Sequence, residues 1–245
     1  MKKYLTYLKI EALLAFRSID LIFFGVIMPI GIAVLIAAIG GNSMTANGYT
    51  YLQGTFGSLI TVGICATALM GIPLCLSDYR DKKILKHFFV TPVRPSMILL
   101  VQAAINAFIS IISAIAIYAI LKLGWGYEIN GSVGMLVLSF MVTMFALYGL
   151  GMLIASLCRT TKSVNLACTL FYFPMLFLSG ATVPFEIFPK WLQSIANVLP
   201  LTQGIKLIKG YSLSSHPNNT VGPFIILFVV AVISIILSIK TFKWE

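Results

Sequence analysis

The sequence predicts an all-α polytopic membrane protein with six transmembrane helices, and three observations lead there. Hydrophobic residues make up 59% of the 245 and charged residues only 10%, against about 25% charged in an ordinary soluble domain. Mean hydropathy is +0.99, and a soluble fold of this length could not bury so much apolar surface. Six uncharged apolar runs are each about 18 residues or longer, enough to cross the hydrocarbon core at about 1.5 Å per residue. They are Ile19–Gly40, Leu52–Leu76, Met97–Leu121, Ser132–Leu157, Ser163–Gly180 and Thr220–Ile239. No internal repeat, low-complexity tract or second domain interrupts them, so residues 1–245 are expected to form a single transmembrane domain.

The first element precedes the first run. In KKYLTYLKIEALLAFR, Leu5, Leu8, Ala12, Ala15 and Phe16 share one helical face, and Lys2, Thr6, Lys9 and Arg17 share the other. This predicts an amphipathic helix lying in the inner membrane interface, its lysines near anionic headgroups. A solvated N-terminal arm is the alternative. The run that follows is long for a signal-peptide core and comes after an 18-residue charged stretch, so it is read as a retained span.

Between the second and third runs the composition changes abruptly. Ser77 to Ser96 reads SDYRDKKILKHFFVTPVRPS and holds seven of the 24 charged side chains: Asp78, Arg80, Asp81, Lys82, Lys83, Lys86 and Arg94. From about Asp78 to Val90 it can form a short amphipathic helix. Ile84 with Phe88, and Leu85 with Phe89, are apolar pairs four residues apart, and Arg80, Lys83 and Lys86 supply a polar side. Pro92 and Pro95 end that helix and turn the chain into the third span. A basic juxtamembrane loop that only orients the protein is the plainer reading.

Charge also sets the orientation. Only Lys122, Lys190, Lys206 and Lys209 fall on one side of the alternating segments, and the other 13 of the 17 Lys and Arg fall on the opposite side. That asymmetry predicts cytoplasmic termini and a cytoplasmic Ser77–Ser96 segment. The net charge of +10 is thereby read as membrane orientation, with no nucleic-acid partner.

Of the outer segments, Gly41–Tyr51 and Lys122–Gly131 are short. Ala181–Asn219 is longer and still apolar. Pro184, Pro189 and Pro200 cut it into pieces too short to span, and Phe188 and Trp191 suit an interfacial belt. A re-entrant pair of short helices, buried against protein, is expected. A small folded ectodomain is the alternative, and about 39 residues without a disulfide are few for a core.

The spans carry no Asp, Glu, Lys, Arg or His, with Asp20 at the edge of the first. Ion-coupled pathways are marked by such residues. Asn106, Asn165, Ser110, Ser113, Thr143 and Thr169 are suited to interhelical hydrogen bonds. Gly151 with Ala155, and Ala103 with Ala107, allow close helix contacts. Pro29, Pro73 and Pro174 can kink their spans, for packing or along a pathway. Cys65, Cys75, Cys158 and Cys168 have no C-x-x-C spacing and read as packing residues. No catalytic set, metal motif or G-x-x-x-x-G-K-[ST] phosphate loop occurs. No catalytic, cofactor-binding or metal site is expected, and any uphill work must draw on another chain. No strong polar stripe stands out along a span, which weighs against a passive channel or sensor subunit. A membrane-embedded enzyme would need convergent polar residues that are not evident.

The stretch DYRDKKILKHFFVTPVRPSMILLVQ resembles the coupling-helix region of the permease subunits of type-2 ATP-binding-cassette (ABC-2) transporters. That pattern runs acidic, basic, acidic, Gly-Thr, then apolar residues ending in Thr-Pro-Val. Asp78, Arg80, Asp81, Leu85, Phe88, Phe89, Thr91, Pro92 and Val93 fit it, while Lys83 and Ile84 stand where the family has Gly-Thr. FLSGATVPFEIFPKWLQSIANVLPLTQGIKLIKG is similar to the family's outer signature, with Gly180, Pro184, Glu186, Pro189, Trp191, Ile195, Pro200 and Thr202 in place. Lys206 and Lys209 stand where an Arg is usual.

The resemblance implies a non-catalytic permease half in a cell membrane, and the richness in Lys and Ile points to a bacterial one. Two halves, identical or related, would enclose the path, and a separate cytoplasmic ABC ATPase would bind the ATP and magnesium. It further implies ATPase coupling through Asp78, Arg80, Asp81, Lys83, Leu85, Lys86, Phe88, Phe89 and Pro92, and export or the flipping of a lipid-linked substrate; the apolar spans favour a hydrophobic drug, antimicrobial peptide or lipid-like cargo over sugars or metal ions.

Overall fold

The computed structural model describes residues 2–41, 43–44, 48–83, 95–158, 160–180, 185, 188–214 and 220–241, with the backbone alone at 2–6, 20, 95 and 96. Every extended element among them is helical: α1 Lys2–Arg17, α2 Ile19–Ile22, α3 Met28–Gly40, α4 Tyr51–Ala66, α5 Ile72–Asp81, α6 Pro95–Trp125, α7 Val133–Leu157, α8 Thr161–Leu178, α9 Lys190–Ala196, α10 Pro200–Leu213 and α11 Val221–Thr241. An isolated bridge between Met44 and Thr50 is the extended pairing among these residues.

Two of the rods contain the same irregularity. Phe23–Ile27 joins α2 to α3 as a π turn, and Thr67–Gly71 joins α4 to α5 in the same way. Each precedes a proline, Pro29 and Pro73, in the first turn of the next helix. Proline has no N–H to donate, and its ring collides with the carbonyl four residues earlier. One wide turn absorbs both problems without breaking the rod. The two π turns also meet: a Cβ on Gly25 would stand 3.0 Å from Cγ2 of Thr67.

Tyr51–Asp81 forms the central rod, with 83% of its most apolar 18-residue window buried, against 22% for both Phe23–Gly40 and Val221–Thr241. Thr50 and Gln53 start it with a capping box. The neighbours pack on it through glycines. A Cβ at Gly57 would come within 2.7 Å of the Lys209 nitrogen of α10, and one at Gly151 of α7 would overlap the Ala68 carbonyl oxygen. Peripheral helices turn residues such as Leu35, Ile39, Leu100, Phe145, Leu166 and Phe228 outward. Such outward apolar faces suit a lipid surrounding.

Among the described residues, five helical segments are long and apolar enough to cross a membrane: Phe23–Gly40, Tyr51–Asp81, Met97–Trp125, Val133–Leu157 and Val221–Thr241. Five of the six expected runs fall on these. The remaining run corresponds to α8, an 18-residue helix whose first turns carry Lys162 and Asn165, and α8 is not among the five. Boundaries also move. The second rod continues through Asp81, so Asp78 to Asp81 end that long helix and do not open a new one. The remainder of the expected coupling helix, with Leu85, Lys86, Phe88, Phe89 and Pro92, lies outside the described residues.

The apolar face of α1 is shared between the protein and its surroundings. Ala12 and Ala15 pack against Val101, Ile105 and Ile109 of α6 as the periodicity suggests. Leu8 and Phe16, however, are 40% and 50% exposed, whereas Glu11 is only 4% exposed. In a lipid surrounding, turning a leucine outward costs little, while a carboxylate must find hydrogen-bond donors. The helix therefore rotates its acid inward.

Candidate functional site

The end of α5 is tied to the turn between α7 and α8. Arg80 donates from Nη1 to the Cys158 carbonyl oxygen at 2.6 Å and from Nη2 to that of Ala155 at 3.1 Å. These are terminal carbonyls of α7, which a cation satisfies both as hydrogen-bond donor and as complement to the helix dipole. One residue on, Asp81 accepts a hydrogen bond from the Thr161 hydroxyl. Thr161 opens α8, where the dipole favours an anion. Thr160 and Ser163 close that helix start with a capping box. Adjacent side chains of opposite sign thus hold one helix end and the next helix start.

Asp78 and Lys82 form an exposed ion pair at 2.8 Å, one turn apart on α5, and the bond to Asp78 raises the Lys82 pKa. Lys83 follows at φ +56°, the left-handed region. Its N–H reaches the Arg80 carbonyl at 3.0 Å, closing the helix. That is the conformation glycine ends helices with. Lys83 is also the position where the family pattern has glycine, so the lysine adopts the backbone that the glycine would favour.

The second expected cluster is organised by backbone geometry. Gly180 has φ +85°, and a Cβ there would lie 3.2 Å from the Phe185 Cβ. Its carbonyl oxygen accepts from the Ser58 hydroxyl of α4 at 3.2 Å. Pro189 precedes α9 in extended conformation, and Pro200 begins α10. Trp191 is 65% exposed. Pro184 and Glu186 lie outside the described residues. Of the two short helices, α10 is buried along Leu201, Thr202, Gly204, Ile205 and Ile208. It packs on α4 and α7. Lys206 stands 5.0 Å from the Phe185 ring centre and donates to Asn197 Oδ1, and partial burial lowers its pKa.

The structure also brings together residues that the sequence reading left separate. On α6, Gln102, Asn106, Ser110 and Ser113 recur on one buried face. They form the polar stripe that was not evident from the sequence, where its members were weighed singly. The Ser110 and Tyr148 hydroxyls are 2.7 Å apart, and Thr67 in the π turn stands 3.1 Å from the same Tyr148 hydroxyl. At the stripe's end Glu11 accepts from Gln102 Nε2 at 2.8 Å and from the Tyr79 hydroxyl. Burial, then the charge of Glu11, raises the Tyr7 pKa. Glu11 went unnoticed because it lies outside every apolar run. Its signal was a lone acid on a helix otherwise basic and apolar. Thr143 and Asn106, by contrast, bond within their own helices, and Asn165 and Thr169 are exposed.

A family model described as "ABC-2 type transporter" matches residues 2–213. The chain is 23% identical over 158 residues to "Inner membrane transport permease YhhJ" of Escherichia coli (strain K12), covering 64% of this chain and 42% of that protein. It is 27% identical over 146 residues to "Probable multidrug ABC transporter permease YbhR" of the same strain, covering 59% and 39%. It is 33% identical over 98 residues to "Nodulation protein J" of Sinorhizobium fredii (strain NBRC 101917 / NGR234), covering 40% and 37%. The matched part spans about two fifths of the length of each of these relatives.

Proposed function

The chain belongs to the ABC-2 type transporter family, and on that premise we propose that it is a non-catalytic permease subunit driven by a separate cytoplasmic ABC ATPase, which binds the ATP and magnesium. The observation that carries this reading is the clamp at the end of α5. Force delivered to the segment after Asp81 would meet Arg80 and Asp81, which hold α7 and α8 directly. A push there would move three helices as one body. A loop bonded only to solvent would dissipate it.

In this reading α8 crosses the membrane as a sixth span, and both termini face the cytoplasm of a bacterial plasma membrane. Gly180, Pro189, Trp191 and Pro200 shape an outer re-entrant pair in which α10 dips inward and α9 stays near the interface. A second permease chain, identical or related, completes the pathway. The cargo is a hydrophobic drug, antimicrobial peptide or lipid-like molecule, exported or flipped. The name of the E. coli relative YbhR lends support to a drug, and the lack of charge along the apolar runs agrees with an apolar cargo.

The α6 stripe does not favour a passive channel through one copy. Its four side chains are 0–3% exposed, and Ser110 is closed onto Tyr148. The reading is tested by replacing Phe88 and Phe89 together with Asp. The double variant is expected to insert normally but to lose binding of the partner ATPase. Full-affinity binding by the variant would exclude this face as the coupling surface.

A further inference from the structure

A cleft of about 430 Å³ opens beside the Glu11 cluster, between α1, the α2 entry, α5 and α6. Binding sites for small molecules run from about 300 to 1,000 Å³ and combine an apolar lining with a few placed polar groups. This cleft has that composition. Leu14, Leu21, Met70 and Leu74 supply apolar walls, while Glu11, Gln102 and Asn106 line its deep side. It follows the central rod from Lys82, just past α5, to Met70 in the π turn, which is about 18 Å at 1.5 Å per residue.

Two features of the deep side are unexplained by the fold. Glu11 is buried, and among the described residues its hydrogen-bond partners are neutral side chains. A buried carboxylate is costly unless a cation accompanies it. Asn106 is 1% exposed, and its Oδ1 accepts no hydrogen bond, although its Nδ2 donates to the Gln102 carbonyl. That oxygen lies over Gly71, where any Cβ would overlap it, so a larger residue at 71 would displace it. Nearly all buried polar groups are satisfied, so an orphan beside a cavity calls for a partner. Among the described residues the cleft thus offers a carboxylate without a counter-charge and, beside it, an acceptor without a donor. Asp78 and Lys82 at its mouth offset each other.

We propose that this cleft binds a primary ammonium carried on an apolar tail, the ammonium pairing with Glu11 beside the Asn106 amide while the tail lies along Leu14, Leu21, Met70 and Leu74. A free amphipathic amine and an aminophospholipid headgroup share that chemistry. The site belongs to the single chain and does not depend on an ATPase partner.

The test uses the full chain alone, reconstituted in phosphatidylcholine nanodiscs, with tritiated dodecylamine followed by scintillation proximity. Saturable binding above protein-free discs is expected, with unlabelled dodecanol failing to compete. Glu11→Gln keeps an acceptor for Tyr79 and Gln102 but removes the charge, and should weaken binding about ten- to hundredfold. Leu74→Trp fills the cleft without touching the Glu11 bonds and should also abolish binding, which decides the matter if the first variant does not fold. Discs containing phosphatidylethanolamine identify the source. Competition assigns the site to the lipid headgroup, and its absence to a free amine; both support the site. Binding no greater than in empty discs, equal competition by dodecanol, or wild-type affinity in either folded variant would overturn the proposal.

Discussion

Lys83 shows how a single side chain can stand against its own backbone. At φ +56° an L-residue with a Cβ is strained by roughly 1–2 kcal/mol, whereas glycine is not. Part of glycine's gain is lost to its greater freedom when unfolded. Lys83→Gly should therefore stabilise the protein by about 0.5–1 kcal/mol, seen as a raised melting temperature in detergent. Lys83→Val should lower it. Tyr148 is a second point of leverage, since its hydroxyl joins Ser110 and Thr67 across three helices. Interhelical hydrogen bonds in membranes average about 0.6 kcal/mol each. Tyr148→Phe should cost about 1 kcal/mol, measurable by reversible unfolding in bicelles, with no loss of helix content. The departure at Lys83 was visible in the sequence as a lysine in a glycine's place. Tyr148 was not, because its role depends on which helices become neighbours.

Helices meet in this molecule where glycine removes a side chain, and they are fastened at one end by charge. Gly57 and Gly151 sit against backbone atoms of α10 and of the π turn, while Gly31 has nothing within 4 Å of a would-be Cβ. Gly57→Ala and Gly151→Ala should each destabilise by about 1–3 kcal/mol through overpacking, and Gly31→Ala should not. Thermal stability of the three variants, compared side by side, checks this. Arg80 holds the end of α7 by two hydrogen bonds. Charge-assisted bonds are worth about 1.5–3 kcal/mol, so Arg80→Ala should speed amide exchange near residues 155–163 by about ten- to a hundredfold and leave α11 unchanged. Span positions were legible in the sequence because charge is excluded from long apolar runs. Helix ends were less so. Asp78, Arg80 and Asp81 look like the start of a polar helix, yet they complete an apolar one: the partners of Arg80 and Asp81 wait at the α7–α8 turn, and Asp78 pairs with Lys82 one turn on. The burial of Glu11 on α1 was not legible for a related reason. Counting apolar residues finds the inward face of a helix in water, but in lipid the buried polar residue decides.

For the whole molecule, we propose that work done by another chain enters through the segment after Asp81 and is carried by the α5 end into α7 and α8. Family membership and an all-helical, lipid-suited architecture were both readable from composition, charge asymmetry and two short stretches of sequence. The buried network from Glu11 along α6 to Tyr148 was not, since it assembles residues 11, 67, 79, 102, 110 and 148 from five elements. The most direct measurement is vanadate-sensitive ATP hydrolysis in material affinity-purified through this chain from its native membrane. Hydrolysis should co-purify with the wild-type chain and be absent when Phe88 and Phe89 are both replaced by Asp. No ATP hydrolysis with the intact chain, or equal hydrolysis with the double variant, would contradict it.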